Sequence, residues 1–259
     1  MPRIEWRTDG PVTRLTLNRP EALNALREDM SREFAAAVRR IARERSSVVI
    51  VQGAGKAFCA GGDLSFIEEN RRRPERELAP RMRRFYGAFL SVRDLPQVTI
   101  AKVHGAAVGA GLCLALACDL RVAAFDAKLA FNFVRLGLSP GMAAWPLARA
   151  ALGDARAREL LATGRFFTGR DLLGWGAAAA GAPTAGEMDG VAEDLARAIA
   201  SGSARSLRLL KAETRLGEDL RPFLAHEARG QARTFRGPDA AEGLAAVRAR
   251  RPPVFASGR

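Results

Sequence analysis

Two segments of the 259-residue chain share one design: a β-rich run, a turn of small residues and a helical pattern. They are VVIVQGAGKAFCAGGDL, at residues 48–64, and TIAKVHGAAVGAGLCLALACDL, at residues 99–120. The start of a helix presents unpaired backbone N–H groups and a partial positive charge, and small residues let another molecule approach closely. Two such turns brought together would hold an oxyanion.

The second helical pattern offers no carboxylate where it begins. It offers Leu112 and Cys113, and Cys113 lies one turn past Ala110, on the same face of the predicted helix. A thiol near a helix N-terminus can have a lowered pKa and act as a nucleophile or base. A cysteine in this position is also an ordinary small buried hydrophobe. Cys113 is therefore a candidate catalytic residue with a structural alternative.

The composition narrows the class of protein. A hydrophobic content of 48% is ample for a buried core, and no apolar run approaches the roughly 20 residues that span a bilayer. The first ten residues lack the apolar segment of a signal peptide, so we expect a cytoplasmic protein with no membrane partner. The three cysteines, at 59, 113 and 118, have no metal-site spacing, so neither disulfides nor a bound metal are expected.

The formal net charge is +13, and only four of the 41 basic residues are lysines. Net charge informs on partners and not on fold. Phosphorylated cofactors, nucleic acid and a merely solvated surface are all compatible with it. The chain contains no recognised nucleic-acid motif, so nucleic acid is not an expected partner.

The pattern of elements predicts an α/β fold with parallel strands. Strands are predicted at 12–18, 46–53 and 97–105, with a helix of regularly spaced apolar residues across 26–44. The sequence pattern of residues 119–132 predicts two short strands. Everything after about Asp154 is rich in Ala, Leu and Arg with helical periodicity, so the last third is expected to be helical.

The sequence resembles the crotonase (enoyl-CoA hydratase/isomerase) superfamily. AFCAGGDL is similar to its FxAGxDL signature, VHGAAVGAGLCLALACDLRVAA resembles its second signature, and the similarity runs from LTLNRPEALNAL to EGLAAVRARRPPVF. The resemblance implies a β/α spiral core at 1–190 and a helical oligomerisation region at 191–259. It also implies a homotrimer or a dimer of trimers.

The resemblance further implies an acyl-CoA substrate, with coenzyme A entering as part of it and no permanently bound cofactor. The thioester oxygen would accept hydrogen bonds from the amides of Ala60 and Ala110, which stabilises an enolate. Arg250 falls where a basic residue of a neighbouring subunit often meets the CoA phosphates, and it is otherwise a solvated residue at a helix end. The resemblance implies these CoA contacts: Leu23, Lys56, Phe58, Asp63, Leu64 and Arg250.

The chain departs from the family at its acid positions. The two glutamates of hydratases fall at Cys113 and Phe133, and the acid of the isomerase branch falls at Gly141. Hydration is therefore disfavoured, and isomerisation, decarboxylation or another enolate reaction fits better. A replacement acid is sought in the segment after Leu64, where the candidates are Glu68, Glu69, Arg84 and Tyr86.

Other assignments stay open at this point. A non-catalytic acyl-CoA-binding homologue would keep the oxyanion site and lose the acids in the same way. Asp119 and His104 are expected to be structural, as is His226, and Asp63 is alternatively a helix cap. The acyl group is not specified by the sequence.

Overall fold

The computed structural model describes residues 2–215 and 219–255. Its strands have the following bounds: β1 Ile4–Asp9, β2 Val12–Leu17, β3 Val48–Gly53, β4 Val98–Val103, β5 Ala106–Val108, β6 Leu120–Ala124, β7 Lys128–Ala130, β8 Phe167–Thr168 and β9 Ala180–Ala182.

Between and after the strands lie helices with these bounds: α1 Glu28–Ile41, α2 Leu64–Arg71, α3 Glu75–Leu90, α4 Ala110–Ala117, α5 Ala144–Leu152, α6 Asp154–Thr163, α7 Gly169–Gly174, α8 Met188–Ala200, α9 Ala204–Thr214, α10 Arg221–Phe235 and α11 Pro238–Arg248. No helix in the described ranges is long and apolar enough to cross a membrane.

The main sheet has six strands in the order β1-β2-β3-β4-β6-β9. Only the β1–β2 pair is antiparallel, and β2, β3, β4, β6 and β9 run parallel. In the register of the central strands, Val49 lies opposite both Thr13 and Thr99. Parallel strands bring their carboxyl ends to one edge, and the segments that follow β3 and β4 are the two small-residue turns. A second sheet has the order β5-β7-β8.

Helix α1 shows how sequence pattern becomes structure here. Its buried residues include Met30, Phe34 and Val38, which repeat every four residues and so form one apolar face. Acidic residues occupy the first turn and Arg39 and Arg40 the last, which complements the helix dipole. The predicted helix is confirmed, and it begins two residues later and ends three earlier than expected.

The α/β fold and the predicted strands are confirmed, whereas four strands, β1, β5, β8 and β9, were not predicted. β1 is an edge strand whose exposed face carries charged residues, so only Ile4 and Trp6 mark it as apolar. β8 and β9 interrupt the last third, which was expected to be helical. The boundary expected at 190 falls inside α8, whose buried Ala192 and Ala196 pack on the main sheet. The core therefore continues to the end of α8.

Asp119 joins the sheet to the C-terminal helices. Its carboxylate accepts hydrogen bonds from the backbone N and Oγ1 of Thr99, both at 2.7 Å, and pairs with Lys211 at 2.7 Å and with Arg215. Although burial raises the pKa of the Asp119 carboxyl, Lys211 and Arg215 outweigh burial and hold the pKa below its usual value. The structural role expected for Asp119 rests on these contacts.

We predict that Asp119→Ala destabilises the protein by about 3–5 kcal/mol, because it leaves the buried Lys211 ammonium without its partner. The lowered pKa means that the carboxylate's contribution is complete above about pH 4 and is lost as the pH falls through the native pKa. Urea unfolding at pH 7 measures the change. Asp126→Ala, at an exposed position, is the control and should cost under about 0.5 kcal/mol. Equal midpoints for the two variants would contradict this role.

Candidate active site

The two small-residue turns lie side by side. Cys59 and Ala107 form an isolated parallel bridge, in which Cys59 N donates to Ala106 O at 2.9 Å and Val108 N donates to Cys59 O at 3.0 Å. The turn after β3 therefore pairs directly with β5, immediately before α4 begins. The predicted meeting of the two turns is present in the structure.

Two glycines make this contact possible. A Cβ on Gly111 would lie 2.2 Å from Cys59 O, and a Cβ on Gly61 would lie 2.7 Å from Val108 O. Gly61 also has a φ of 101°, a left-handed conformation that residues with a side chain rarely adopt. Any larger residue at either position would push the turns apart.

The structure corrects one of the two expected amide donors. Ala60 N donates to Leu23 O at 2.9 Å, so that amide is already used inside the protein. Leu26 N donates to Gly61 O, and Asp63 N donates to Leu26 O. The amide of Gly62, between them, points to the other side of the chain and has no partner in the described ranges. Ala110 is the first residue of α4, so its amide has no partner within the helix. Gly62 and Ala110 thus present the unpaired amides.

Both amides border one pocket of about 430 Å³. Its wall is mainly apolar and includes aromatic rings from α2, α3, α10 and the segment after β7. The polar side chains on the wall are Asp63, Tyr86, Asn132 and Gln231. The larger apolar side chains on it include Phe66, Ile67, Met82, Phe85, Phe133 and Phe235.

Asp63 is held at the edge of this pocket as the N-cap of α2. It accepts hydrogen bonds from Ser65 N at 2.9 Å and Ser65 Oγ at 2.6 Å, and it pairs with Arg19. Burial raises the pKa of its carboxyl, but the bonds from Ser65 and Arg19 outweigh burial and lower the pKa. Asp63 is therefore an ionised cap whose charge Arg19 neutralises.

The other predicted CoA contacts differ in position. Leu64 lines the pocket, Leu23 is 42% exposed, and Lys56 is exposed. Phe58 is fully buried, so its side chain belongs to the core and only its backbone is near the turn. Arg250 is exposed just beyond α11, a helix that reaches the pocket of its own chain through Val247. The roles of these residues toward CoA stay predictions.

The three positions expected to lack an acid are distributed around the pocket. Phe133 lines it, whereas Cys113 is fully buried behind it with Sγ 3.8 Å from Gly141 O. Burial, followed by the nearby Glu227, raises the pKa of the Cys113 thiol well above its ordinary value. The expectation that the helix N-terminus lowers this pKa does not hold in this geometry, because burial outweighs the helix end. The thiol is therefore neutral near pH 7.

Of the four replacement candidates, Tyr86 alone lines the pocket. Glu68 pairs with Arg248 near the surface, while Glu69 and Arg84 are exposed. The hydroxyl of Tyr86 donates to Gln231 Oε1, and Gln231 Nε2 donates to Ser139 O at 2.6 Å. Burial and then Glu227 raise the pKa of Tyr86 well above its ordinary value. The pocket therefore contains a phenol that stays protonated.

Sequence reasoning missed Gln231 and Glu227, which approach from α10. Tyr86 and Gln231 are 145 residues apart, so no local pattern joins them. Glu227 is buried, and burial raises its pKa to about 7 against the lowering effect of bonds from the amides of Ala143, Trp145 and Ala144. The available signal was two polar residues, Glu227 and Gln231, at helical spacing among the small and apolar residues of the buried face of α10.

The histidines lie outside the pocket wall. His104 Nε2 is 2.9 Å from Gly55 O, which fits the turn role expected for it, and His226 is exposed. A larger cavity of about 770 Å³ is lined by residues that include Asp119, Lys211 and Arg215, and neither small-residue turn borders it. Within the described ranges no group of three or more His, Cys, Asp or Glu side chains is arranged to hold a metal.

We predict that all three cysteines resist thiol–disulfide exchange in the native protein, since each is buried and burial raises each pKa. Thiolate is the reactive form, so reaction with a disulfide reagent at pH 7 should be at least about 100-fold slower than after unfolding. The absorbance of the released reagent thiolate measures the rate of this reaction. One thiol reacting at the rate of the unfolded chain would show that a site cysteine is accessible.

Comparison with known proteins identifies the family of the chain. Residues 7–258 match the family described as Enoyl-CoA hydratase/isomerase. The chain is 34% identical over 249 residues to 1,2-epoxyphenylacetyl-CoA isomerase of Escherichia coli, with 94% of each sequence covered. It is 33% identical to human enoyl-CoA hydratase domain-containing protein 2, mitochondrial, covering 95% of this chain and 86% of the relative.

A solved structure shows the same fold. The enoyl-CoA hydratase from Mycobacterium avium subsp. paratuberculosis superposes with a TM-score of 0.84 at 28% identity, and 98% of each chain is covered. The family match, the relatives and this superposition all extend over nearly the whole chain. The protein therefore belongs to the enoyl-CoA hydratase/isomerase family of the crotonase superfamily.

Proposed function

We propose that the protein is an acyl-CoA enzyme that stabilises a thioester enolate between the amides of Gly62 and Ala110. The observation that carries the proposal is the pair of unpartnered amides at one largely apolar pocket. Preorganised donors in a water-poor site act strongly on charge that develops in the transition state, with roughly 3–4 kcal/mol for one donor. Gly62 takes the place first expected for Ala60.

Tyr86 is the proton donor in this proposal. Its raised pKa keeps the hydroxyl protonated at neutral pH, so a proton is available to the strongly basic enolate carbon and no phenolate is present to act as a base. Gln231 holds the hydroxyl at the pocket wall. After the phenol gives its proton to the enolate carbon, the phenolate regains a proton from water.

A pocket with a donor and without a free carboxylate favours lyase chemistry over hydration. Hydration needs a group that deprotonates water, and isomerisation needs a group that removes a carbon-bound proton. Decarboxylation of a 2-carboxyacyl-CoA needs neither, because the broken C–C bond leaves its electron pair on the α carbon. Apolar walls such as Phe66, Phe133 and Phe235 also poorly solvate a substrate carboxylate, which favours its loss as CO₂.

Coenzyme A enters as part of the substrate. Leu64 lies on the pocket wall, and the exposed Leu23, Lys56 and Arg250 are proposed to contact the nucleotide and pantetheine portions. Arginine suits phosphate because its planar fork donates two parallel hydrogen bonds. We also propose a homotrimer or dimer of trimers, which the exposed apolar residues Leu209, Leu210 and Phe223 on α9 and α10 support.

We predict negligible hydration of crotonyl-CoA together with saturable binding of that thioester. Each positioned acid or base is typically worth about 10²- to 10⁴-fold, and the positions at Cys113 and Phe133 supply neither. Absorbance of the enoyl thioester follows hydration, and calorimetry follows binding. Turnover of about 10 per second or more would overturn the proposed chemistry. Absence of binding would overturn the acyl-CoA assignment.

We predict that the protein converts malonyl-CoA to acetyl-CoA, with deuterium incorporated at the α carbon in deuterated water. Ala110→Pro removes one donor at the first position of a helix, where proline is tolerated, and should lower the rate about 10²- to 10³-fold. Ala110→Ser keeps the amide and is the matched control. Chromatography measures the acetyl-CoA formed, and mass spectrometry measures the deuterium at its α carbon.

Equal rates for the proline and serine variants would show that the Ala110 amide does not hold the oxyanion. Saturable thioester binding without any turnover in the wild type would favour a non-catalytic acyl-CoA-binding homologue. A structure with bound thioester in which Ala60, rather than Gly62, donates to the thioester oxygen would overturn the revised donor.

A further inference from the structure

One face of α10 holds the turn that precedes α5, between β7 and β8 of the second sheet. Glu227 Oε2 accepts a hydrogen bond from Ala143 N at 2.6 Å, and Gln231 Nε2 donates to Ser139 O at 2.6 Å. Thr234 Oγ1 accepts from Ser139 N at 3.0 Å. Glu227 and Gln231 are four residues apart and so share a helix face. Residues 139–145 are thus held at both ends by the same helix.

The gripped turn has an unfavourable backbone. Met142 has a φ of 62° and Ala143 a φ of 55°, and neither is a glycine. Two consecutive left-handed residues persist only where their surroundings hold them. The Glu227 carboxylate does so by accepting a hydrogen bond from the amide of Ala143, and the amides of Ala144 and Trp145, the first residues of α5, also favour its charged form.

The same turn packs against the hydroxyl of Tyr86 through Gly141. A Cβ on Gly141 would lie 2.6 Å from the hydroxyl oxygen of Tyr86 and 2.9 Å from the side-chain amide carbon of Gln231. Gly141 O is in turn 3.8 Å from Cys113 Sγ. A shift of the turn therefore moves the surface on which the Tyr86 hydroxyl and its acceptor rest.

Glu227 is also electrically coupled to the phenol. Its Oε1 is buried without a hydrogen-bond partner, and burial raises its pKa to about 7. The titratable groups facing it are Tyr86 on α3 and Cys113 on α4, and its charge raises the pKa of both. α5 presents only backbone amides to it, and His226 on its own helix is exposed.

We propose that Glu227 is a positioning residue that fixes the Tyr86 hydroxyl in the acyl pocket by holding the 139–145 turn. The ionised carboxylate is the productive form, because the charge-assisted hydrogen bond that it accepts from the Ala143 amide is stronger than one to a neutral acid. The role in turnover rests on the proposed function of Tyr86, whereas the coupling between the two side chains does not.

Tyr86 is the single tyrosine of the chain, so the coupling has a direct spectroscopic test. Protein labelled with ¹³C at the tyrosine ring carbon that bears the hydroxyl gives one resonance. In the wild type its chemical shift should follow a titration with a midpoint of about pH 7. In Glu227→Gln this inflection should be absent, while Glu213→Gln, at an exposed position of α9, should behave as the wild type.

A wild-type resonance whose chemical shift stays constant from about pH 5 to about pH 9 would overturn the proposal, even if Glu227→Gln failed to fold. An inflection of unchanged midpoint in Glu227→Gln would overturn it as well. An inflection lost only in Glu227→Gln supports it.

Malonyl-CoA turnover gives the second readout. Wild-type kcat should fall as the pH drops below about 7, whereas Glu227→Gln should be roughly 10- to 100-fold slower and lack that inflection. Equal kcat and equal pH profiles would overturn the positioning role. No turnover by the wild type, with the tyrosine titration intact, would overturn the proposed function and leave the coupling of Glu227 to Tyr86 supported.

Discussion

The close contact of two backbone turns is the constraint on which the site depends. Gly111 packs on the carbonyl of Cys59 and Gly61 on the carbonyl of Val108, and the bridge between Cys59 and Ala107 fixes their register. These contacts leave no room for side chains, so the two unpaired amides border one pocket. The parallel sheet supplies the arrangement, because β3 and β4 are adjacent and end at the same edge.

The rest of the site is built by elements that arrive from far along the chain. α3 contributes Tyr86, and α10 contributes Gln231 and Glu227, which hold the phenol and the turn behind it. Asp119 has a comparable role outside the pocket, since it ties β4 to the buried Lys211 of α9. In both places a carboxylate largely shielded from solvent acts through hydrogen bonds to its neighbours, and we expect each to be more costly to remove than an exposed charge.

Sequence reasoning identified the fold and the two turns because both depend on local patterns: β-branched runs, helical periodicity and small residues at fixed spacing. It assigned the donor to Ala60 because a sequence does not show which way an amide points, and Leu23 O takes that amide. It missed β9 because Ala180–Ala182 becomes a strand through pairing with β6 rather than through propensity. It could not place Glu227, whose partners lie 84 residues away.

In the proposed function, the absence of a carboxylate at Cys113 and Phe133 affects the electrostatics of the pocket as well as its proton transfers. A carboxylate beside the thioester would oppose the negative charge of an enolate, and in a site of low effective dielectric that opposition is large. With Phe133 on the wall and Cys113 neutral, the remaining carboxylate on the wall is Asp63, which Arg19 neutralises. In the proposed mechanism the wall beside the two amides therefore carries no unneutralised carboxylate, and the charge of Glu227 lies behind the wall, against the 139–145 turn. Under that proposal the pocket lacks a base to remove a proton, and its two amides stabilise an electron pair released within the substrate itself.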